Sequence, residues 1–261
     1  MRRPSAGPGP KHRRRRRPQQ QELPFKSTWG GKREGAGRKP GPHPRTPHRR
    51  RPVHNFRHPV HVTLRASLKG LRSQVLYPTV RVAISLATRK DPERFRIVHY
   101  SVQSNHLHLI VEAAERRALT AGVHGLEARL TRYVNQLLSR RGSLWADRWH
   151  GRALKSPRDV RNTLVYVLAN FRKHSNAPFP VGADPFSSGP WFHGWRGIER
   201  GPPPLAGRGV PAAPTDEKVP VSEPRTWLLR EGFLKAGKLR LDEAPRPEKV
   251  RKPEHRRAPQ R

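Results

Sequence analysis

The chain has no cysteine. Disulfides, thiolate zinc fingers and thiol catalysis are therefore excluded, and a reducing cytoplasm is compatible with the composition. Apolar residues are also scarce. They make up 33% of 261 positions, while Pro and Gly number 29 and 21, so parts of the chain are expected to stay unfolded. No apolar run approaches 18 residues and no strongly basic amphipathic helix is present, which argues against spanning or lying on a bilayer. The basic N-terminus is not followed by an apolar stretch, which argues against a secretory signal. Acidic residues are the last shortage: 19 against 55 Lys and Arg, a formal net charge of +36. A field of that strength says little about fold and much about partners, because it attracts polyanions. A cytoplasmic, nucleoid-associated location is the expectation.

Residues 1–57 hold few apolar side chains and three basic stretches: Arg13 to Arg17, Gly35 to Gly41, and Arg49 to Arg51. They read as a disordered basic arm. The Gly-Arg-Lys-Pro segment around Arg38 and Lys39 is similar to an AT-hook, an extended element of the A·T minor groove, but carries one inserted lysine. A solvated tail gripping phosphates without sequence preference is the simpler expectation for it and for the arginine runs.

Residues 58–175 read as the folded core. Val60 to Arg65 alternates apolar and polar, as a strand does. Pro78 followed by Val80, Ala83, Ile84 and Ala87 predicts a helix over 78–89. Phe95 to Val102 is a second strand, and Ser104-Asn105 turns into a third over 106–112. Leu126, Leu130, Val134, Leu137 and Leu138 predict a helix over 123–141, stopped by Gly142. Leu144 to Leu154 supplies a fourth strand. Ser156-Pro157-Arg158-Asp159 starts a helix that runs to about 173. The order β-α-β-β-α-β-α gives an α+β fold, a ferredoxin-like antiparallel sheet with helices on one face and disordered basic tails. Residues 176–261 form a Pro/Gly-rich extension with an aromatic, turn-rich stretch at 184–192, a short helix near 225–236 and a basic tail.

Within the third strand, His106 and His108 flank Leu107. Alternation puts both imidazoles on one face, about 7 Å apart, where they can pinch a divalent metal. In so basic a chain the substrate of such a metal is a phosphodiester. On the last helix Val160, Leu164, Val167, Leu168 and Phe171 form an apolar arc, and Asp159, Thr163, Tyr166 and Asn170 an adjoining polar one. Tyr166 offers a nucleophilic hydroxyl and Asn170, one turn on, an amide oxygen for the same cation. Two imidazoles and an amide oxygen leave positions for phosphate oxygens and water, a mix that suits Mg²⁺ or Mn²⁺.

Asn105-His106-Leu107-His108, the stretch Gly142 to His150, and Tyr166-Val167-Leu168-Ala169-Asn170 resemble, in this order, the REP-associated tyrosine transposases. These are single-tyrosine nucleases with a His-hydrophobic-His pair, akin to the single-strand transposases of insertion sequences. The likeness covers about residues 58–175. It implies metal ligands at His106 and His108, a nucleophile at Tyr166 and an auxiliary ligand at Asn170. It implies cleavage of single-stranded or hairpin DNA through a 5′-phosphotyrosine link, then rejoining. Relatives work as monomers or dimers, so a homodimer is compatible. They often carry Asn-Pro after the tyrosine turn. Here Phe171 follows Asn170, which predicts a longer helix.

Other residues have simpler readings. Tyr133 is a rival nucleophile that fits a helix core better, and Tyr77 and Tyr100 precede the histidines. His61 is a further ligand or phosphate contact by one reading and a hydrogen-bonded histidine by the simpler one. Arg148, His150, Arg152 and Lys173 are candidates for DNA backbone contact. Trp145 and Trp149 could stack on bases, though core packing is the stronger expectation. Asp159 fits a helix N-terminus. Two alternatives stay open: a non-catalytic nucleic-acid binder with an inactivated nuclease core, and a replication or mobilisation nickase.

Overall fold

The computed structural model describes residues 53–171, 182–197 and 219–245. Residues 1–52 of the basic arm, with Arg38 and Lys39, lie outside them, as does Lys173.

Four strands form one antiparallel sheet in the order β2-β3-β1-β4. They are β1 (Val60–Arg65), β2 (Phe95–Val102), β3 (His106–Ala113) and β4 (His150–Ala153). The β2–β3 hairpin closes through Gln103 N–H donating to His106 O at 2.8 Å. The fourth strand is shorter than the 144–154 expected, because Trp145 makes only an isolated bridge to Ala66 and the chain loops before His150.

Alternation sorts the sheet into two unlike faces. Val62, Leu64, Leu107 and Leu109 are at most 1% exposed and pack with α1 (Tyr77–Lys90) and α2 (Arg116–Leu137). These are the two crossover helices of the ferredoxin-like arrangement, on one face as expected. The third helix, α3 (Pro157–Leu168), has its apolar stripe in a second core with Val98 and Ile110, which belong to the opposite face. Each buried aliphatic contributes about 1.5–3 kcal/mol, so both faces are held by substantial cores.

The second helix begins seven residues before the expected Val123. Ala118, Leu119 and Val123 continue the stripe of Leu126, Leu130 and Val134 backwards, and Gly122 and Gly125 had obscured it. It also ends earlier, at Leu137. Leu137 and Leu138 are 46% and 43% exposed, and Ser139 turns with a φ of +48°. The two glycines differ. A Cβ at Gly122 would strike the Phe95 ring, whereas one at Gly125 meets nothing within 4 Å. Gly122→Ala is therefore expected to lower stability by about 1–3 kcal/mol, and Gly125→Ala to raise it by up to about 1 kcal/mol. Urea midpoints of the two variants should move in opposite directions.

The third helix is also shorter than expected, ending at Leu168, with Asn170 and Phe171 in a following 3-10 turn. Its start is as read: the Ser156 hydroxyl accepts from Asp159 N–H at 3.2 Å and Pro157 fills the first turn.

The C-terminal segments are built into the cores. Phe186 packs edge-on against Tyr77, and the Tyr77 hydroxyl donates to Pro185 O at 2.6 Å. Arg72 grips the buried Asp184 carboxylate with two bonds of 2.8 and 2.9 Å. The expected helix near 225–236 is a short α4 (Trp227–Arg230) followed by a 3-10 segment at Gly232–Ala236. Leu228, Leu229 and Phe233 pack there with the stripe of α3. Among the described residues no helix is long and apolar enough to cross a membrane.

Candidate active site

The polar face of the sheet carries the site. Antiparallel partners share a face, so the pairings His61↔Ile110, Thr63↔His108 and Arg65↔His106 place His61, Thr63, His106 and His108 together. The pairings His61↔Arg152 and Thr63↔His150 add two side chains from β4. Helix α3 lies across this face. Its stripe of Val160, Leu164 and Val167 is sunk in the second core, which turns Asp159, Thr163 and Tyr166 towards the strands. Between them is a cleft of about 1200 Å³ lined by His61, His106, His108, His150, Arg152 and Tyr166 among others.

The rings are close. The centroids of His106 and His108 are 4.7 Å apart, those of His108 and Tyr166 4.9 Å, and those of His61 and Tyr166 5.8 Å. Tyr133, Tyr77 and Tyr100 all belong to the opposite core. Of the four tyrosines, Tyr166 alone lines the histidine cleft.

Hydrogen bonds orient both imidazoles of the pair. His106 Nδ1–H donates to Asn105 Oδ1 at 2.9 Å, which leaves the ring's lone pair on Nε2. His108 Nδ1 lies 3.3 Å from His61 Nε2 and 3.3 Å from Thr63 Oγ1. Burial first, then the Arg152 guanidinium and the neighbouring His150, push the His61 pKa down to about 4, so this ring is neutral at neutral pH. On β2 the buried His99, beside Ser188 Oγ at 3.2 Å, is lowered to about 3 by burial first and His193 second.

The basic wall is held by acids. Arg152 donates to Asp159 Oδ1 at 2.6 Å and to Thr163 Oγ1 at 3.0 Å. Asp159 thus serves Arg152 as well as the helix N-terminus. Arg161, from the same helix, donates to both carboxylate oxygens of Glu243 at 2.7 and 2.8 Å. Lys235, Glu243 and Pro245 of the C-terminal segment complete the lining.

The geometry fits a metal in its donor chemistry. Two oriented imidazoles and a phenol face one cleft, and a bond such as that of Asn105 to His106 would orient the ring of a metal ligand. Among the described residues no group of three or more His, Cys, Asp or Glu is arranged to hold an ion, so the remaining donors would be oxygens of other kinds. Asn170 is 2% exposed, and its Oδ1 has no hydrogen-bond partner among the described residues. It is absent from the cleft lining, because α3 ends two residues before it.

Of the other sequence candidates, exposed Arg148 sits in the loop before β4, its N–H donating to Asp147 Oδ1 at 2.7 Å. Trp149 is 5% exposed, and Trp145 Nε1–H donates to Glu127 O at 3.0 Å, so both pack into the core. Thr63 and Arg161 have no role in the sequence reading, and Asn105 enters it only as part of the turn and of the histidine motif. Thr63 follows His61 by two on a strand, a signal that alternation offers. Arg161 gives none, because its partner is 82 residues away.

No protein-family model and no curated protein matches the chain. Among solved structures it is similar to a candidate transposase from Deinococcus radiodurans R1, with 13% identity over 46% of this chain and 92% of that one and a TM-score of 0.31. It is also similar to a REP-associated tyrosine transposase bound to a REP hairpin, with 20% identity over 69% of this chain and 99% of that one and a TM-score of 0.45.

Proposed function

We propose that the chain is a single-tyrosine DNA transposase or strand transferase that cuts and rejoins single-stranded or hairpin DNA. The observation that carries this reading is the position of Tyr166: it alone of four tyrosines lines the histidine cleft, with its ring 4.9 Å from that of His108. The net charge of +36 supports a polyanionic substrate. The ordered motifs read from the sequence support the reaction class.

In this reading the Tyr166 oxygen attacks the scissile phosphorus. A tyrosine–phosphorus bond forms and the bond to the 3′ oxygen breaks. The phenol loses a proton to solvent and the leaving oxygen gains one, so a 5′-phosphotyrosine and a free 3′-hydroxyl result. Attack by a 3′-hydroxyl reverses the step and releases Tyr166. Bond energy is kept in the link, so no nucleotide cofactor is required. His106 and His108 would hold a divalent ion, Mg²⁺ or Mn²⁺, with its remaining positions filled by phosphate oxygens and water, since Asn170 is not among the cleft-lining residues. When bound, such an ion supplies charge stabilisation to the phosphate. Arg152, bonded to Asp159 and Thr163, would hold a flanking phosphate, and His150 and Arg148 would be further backbone contacts.

A denaturing gel tests the reading. Labelled single-stranded hairpin DNA incubated with the full chain and Mg²⁺ or Mn²⁺ is expected to give a slow-migrating covalent band that is lost in Tyr166→Phe. A salt-sensitive complex with no adduct under either metal would favour the non-catalytic binder.

A further inference from the structure

A second groove, of about 690 Å³, opens at the other end of β3. Ala113 lines it, whereas His106 and His108 line the Tyr166 cleft. From His108 to Ala113 is five residues, about 16 Å along the strand. Neighbouring residues at the first turn of α3 line the two spaces: Lys155 and Pro157 the groove, and Arg158 and Asp159 the cleft.

The groove combines aromatic surface with positive charge. Phe56 and Trp227 are 62% and 48% exposed and both line it. Gly232 lies against the Trp227 ring, where a Cβ would not fit, so the indole is braced from the C-terminal segment. Arg57 and Lys155 supply its cations, since Arg96 and Arg225 are paired with acids. The two acids present are already engaged, Glu93 by the Arg225 guanidinium and Glu112 by Arg96 and the backbone of Arg225 and Thr226. The chain reaches Phe56 directly from the 52-residue basic segment that precedes the described core. Exposed aromatic rings with cations against them, Arg57 over Phe56 at 5.6 Å and Lys235 over Trp227 at 5.1 Å, are the chemistry of a platform for unpaired bases.

We infer that this groove stacks an unpaired segment of the DNA strand whose phosphate lies in the Tyr166 cleft. The strand would pass the first turn of α3. At about 3.4 Å per stacked nucleotide, 16 Å corresponds to about five nucleotides between cleavage point and stacked base. The inference rests on the strand-transfer reading for the identity of its ligand.

The test uses the full chain carrying Tyr166→Phe, so that binding is read without cleavage. Anisotropy compares a hairpin without extensions, hairpins with unpaired extensions of two and eight nucleotides on either end, and one with a duplex extension. The eight-nucleotide extension on one end is expected to tighten binding about tenfold. Trp227→Ala should remove that gain and leave the unextended hairpin within twofold, and Trp227→Phe, which keeps a stacking ring, should retain most of it. As a measurement independent of variant folding, 5-iodouracil placed four to seven nucleotides into the extension should photocrosslink to peptides containing Phe56 or Trp227. Equal affinity for all hairpins, a duplex extension as good as an unpaired one, or crosslinks mapping only elsewhere would overturn the inference. The adduct assay on the unextended hairpin with the unmutated chain separates the two ideas. An adduct without an extension effect removes the groove and keeps the enzyme, and an extension effect without an adduct does the reverse.

Discussion

His106→Ala is expected to abolish cleavage, by about 10³-fold or more, while binding to the same labelled hairpin stays within about twofold. The two effects separate because they come from different parts of the molecule. The imidazole is half-buried on the polar face of β3, with Nδ1 tied to Asn105 Oδ1. Its removal takes one of two nitrogen donors from the cleft and with it charge stabilisation that, for a single oriented donor, is about 10²–10³-fold, more if the ion is lost altogether. Affinity, by contrast, comes from 55 Lys and Arg residues. Counterion release makes it fall steeply with salt, and one imidazole among so many cations changes that slope little. Plots of log K against log salt for the two proteins should be parallel and nearly superimposed. Asn105→Ala should be intermediate, weakening Mn²⁺ binding by about 10–100-fold through loss of the outer contact, as read by calorimetry without DNA. Parallel loss of affinity and cleavage in His106→Ala would mean that the histidine holds the fold or the DNA rather than the reacting phosphate.

Much of this arrangement was legible in the sequence because strand alternation is a short-range signal. His106-Leu107-His108 declared both faces of β3 at once, and Phe95 to Val102 and Val60 to Arg65 declared its neighbours with the bounds later found. Tyr166 was legible because its helix has a clean apolar stripe and a Ser-Pro start. The errors fall where the local signal is weak or tertiary contact decides. Gly122 hid the first turns of α2, since glycine ordinarily argues against a helix interior; here the Phe95 ring occupies the space a side chain would need. Asn170 and Phe171 keep the period and so predict a longer α3, although the chain tightens after Leu168. Asn170 therefore leaves the face it shares with Tyr166 in an ideal helix.

His61 was the harder case. A lone histidine on a strand is ordinarily just hydrogen-bonded, and His61 is that, within reach of His108 Nδ1 at 3.3 Å. What the sequence could not supply was the register that aligns β1 with β3, and hence the third imidazole beside the pair. The C-terminal segment was illegible for a related reason. Its short helix and aromatic stretch carry too little periodicity to announce a partner, and the polar groups that dock it lie more than 100 residues away. Arg72 meets Asp184, and Glu112 meets Arg225 and Thr226.

Glu112 gives the largest expected effect on stability. It sits on the polar face of β3, 4% exposed, yet its carboxylate is fully engaged. It accepts from Arg225 N–H at 2.9 Å, Thr226 N–H at 2.8 Å and Thr226 Oγ1 at 2.8 Å. It also faces Arg96 Nε at 3.7 Å. Thr226 is the residue before α4, so one buried side chain of the sheet does for that helix what a local capping residue does elsewhere. Glu112→Ala leaves two backbone donors without their acceptor and strips the 7% exposed Arg96 of its counter-charge. An uncompensated buried charge costs about 3–5 kcal/mol, and this should appear as a lower urea midpoint. Glu112→Gln keeps the shape and most acceptors but not the charge, and should cost less, about 1–3 kcal/mol. Detachment of the segment should also make Leu228 and Phe233 accessible, so proteolysis near 227–236 should quicken in Glu112→Ala before global unfolding. If both variants kept the parental midpoint and cleavage pattern, the C-terminal segment would be held by its apolar contacts with α3 alone. Glu112 would then be only a satisfied acid, and the groove beside Trp227 would lose the brace that keeps its indole in place.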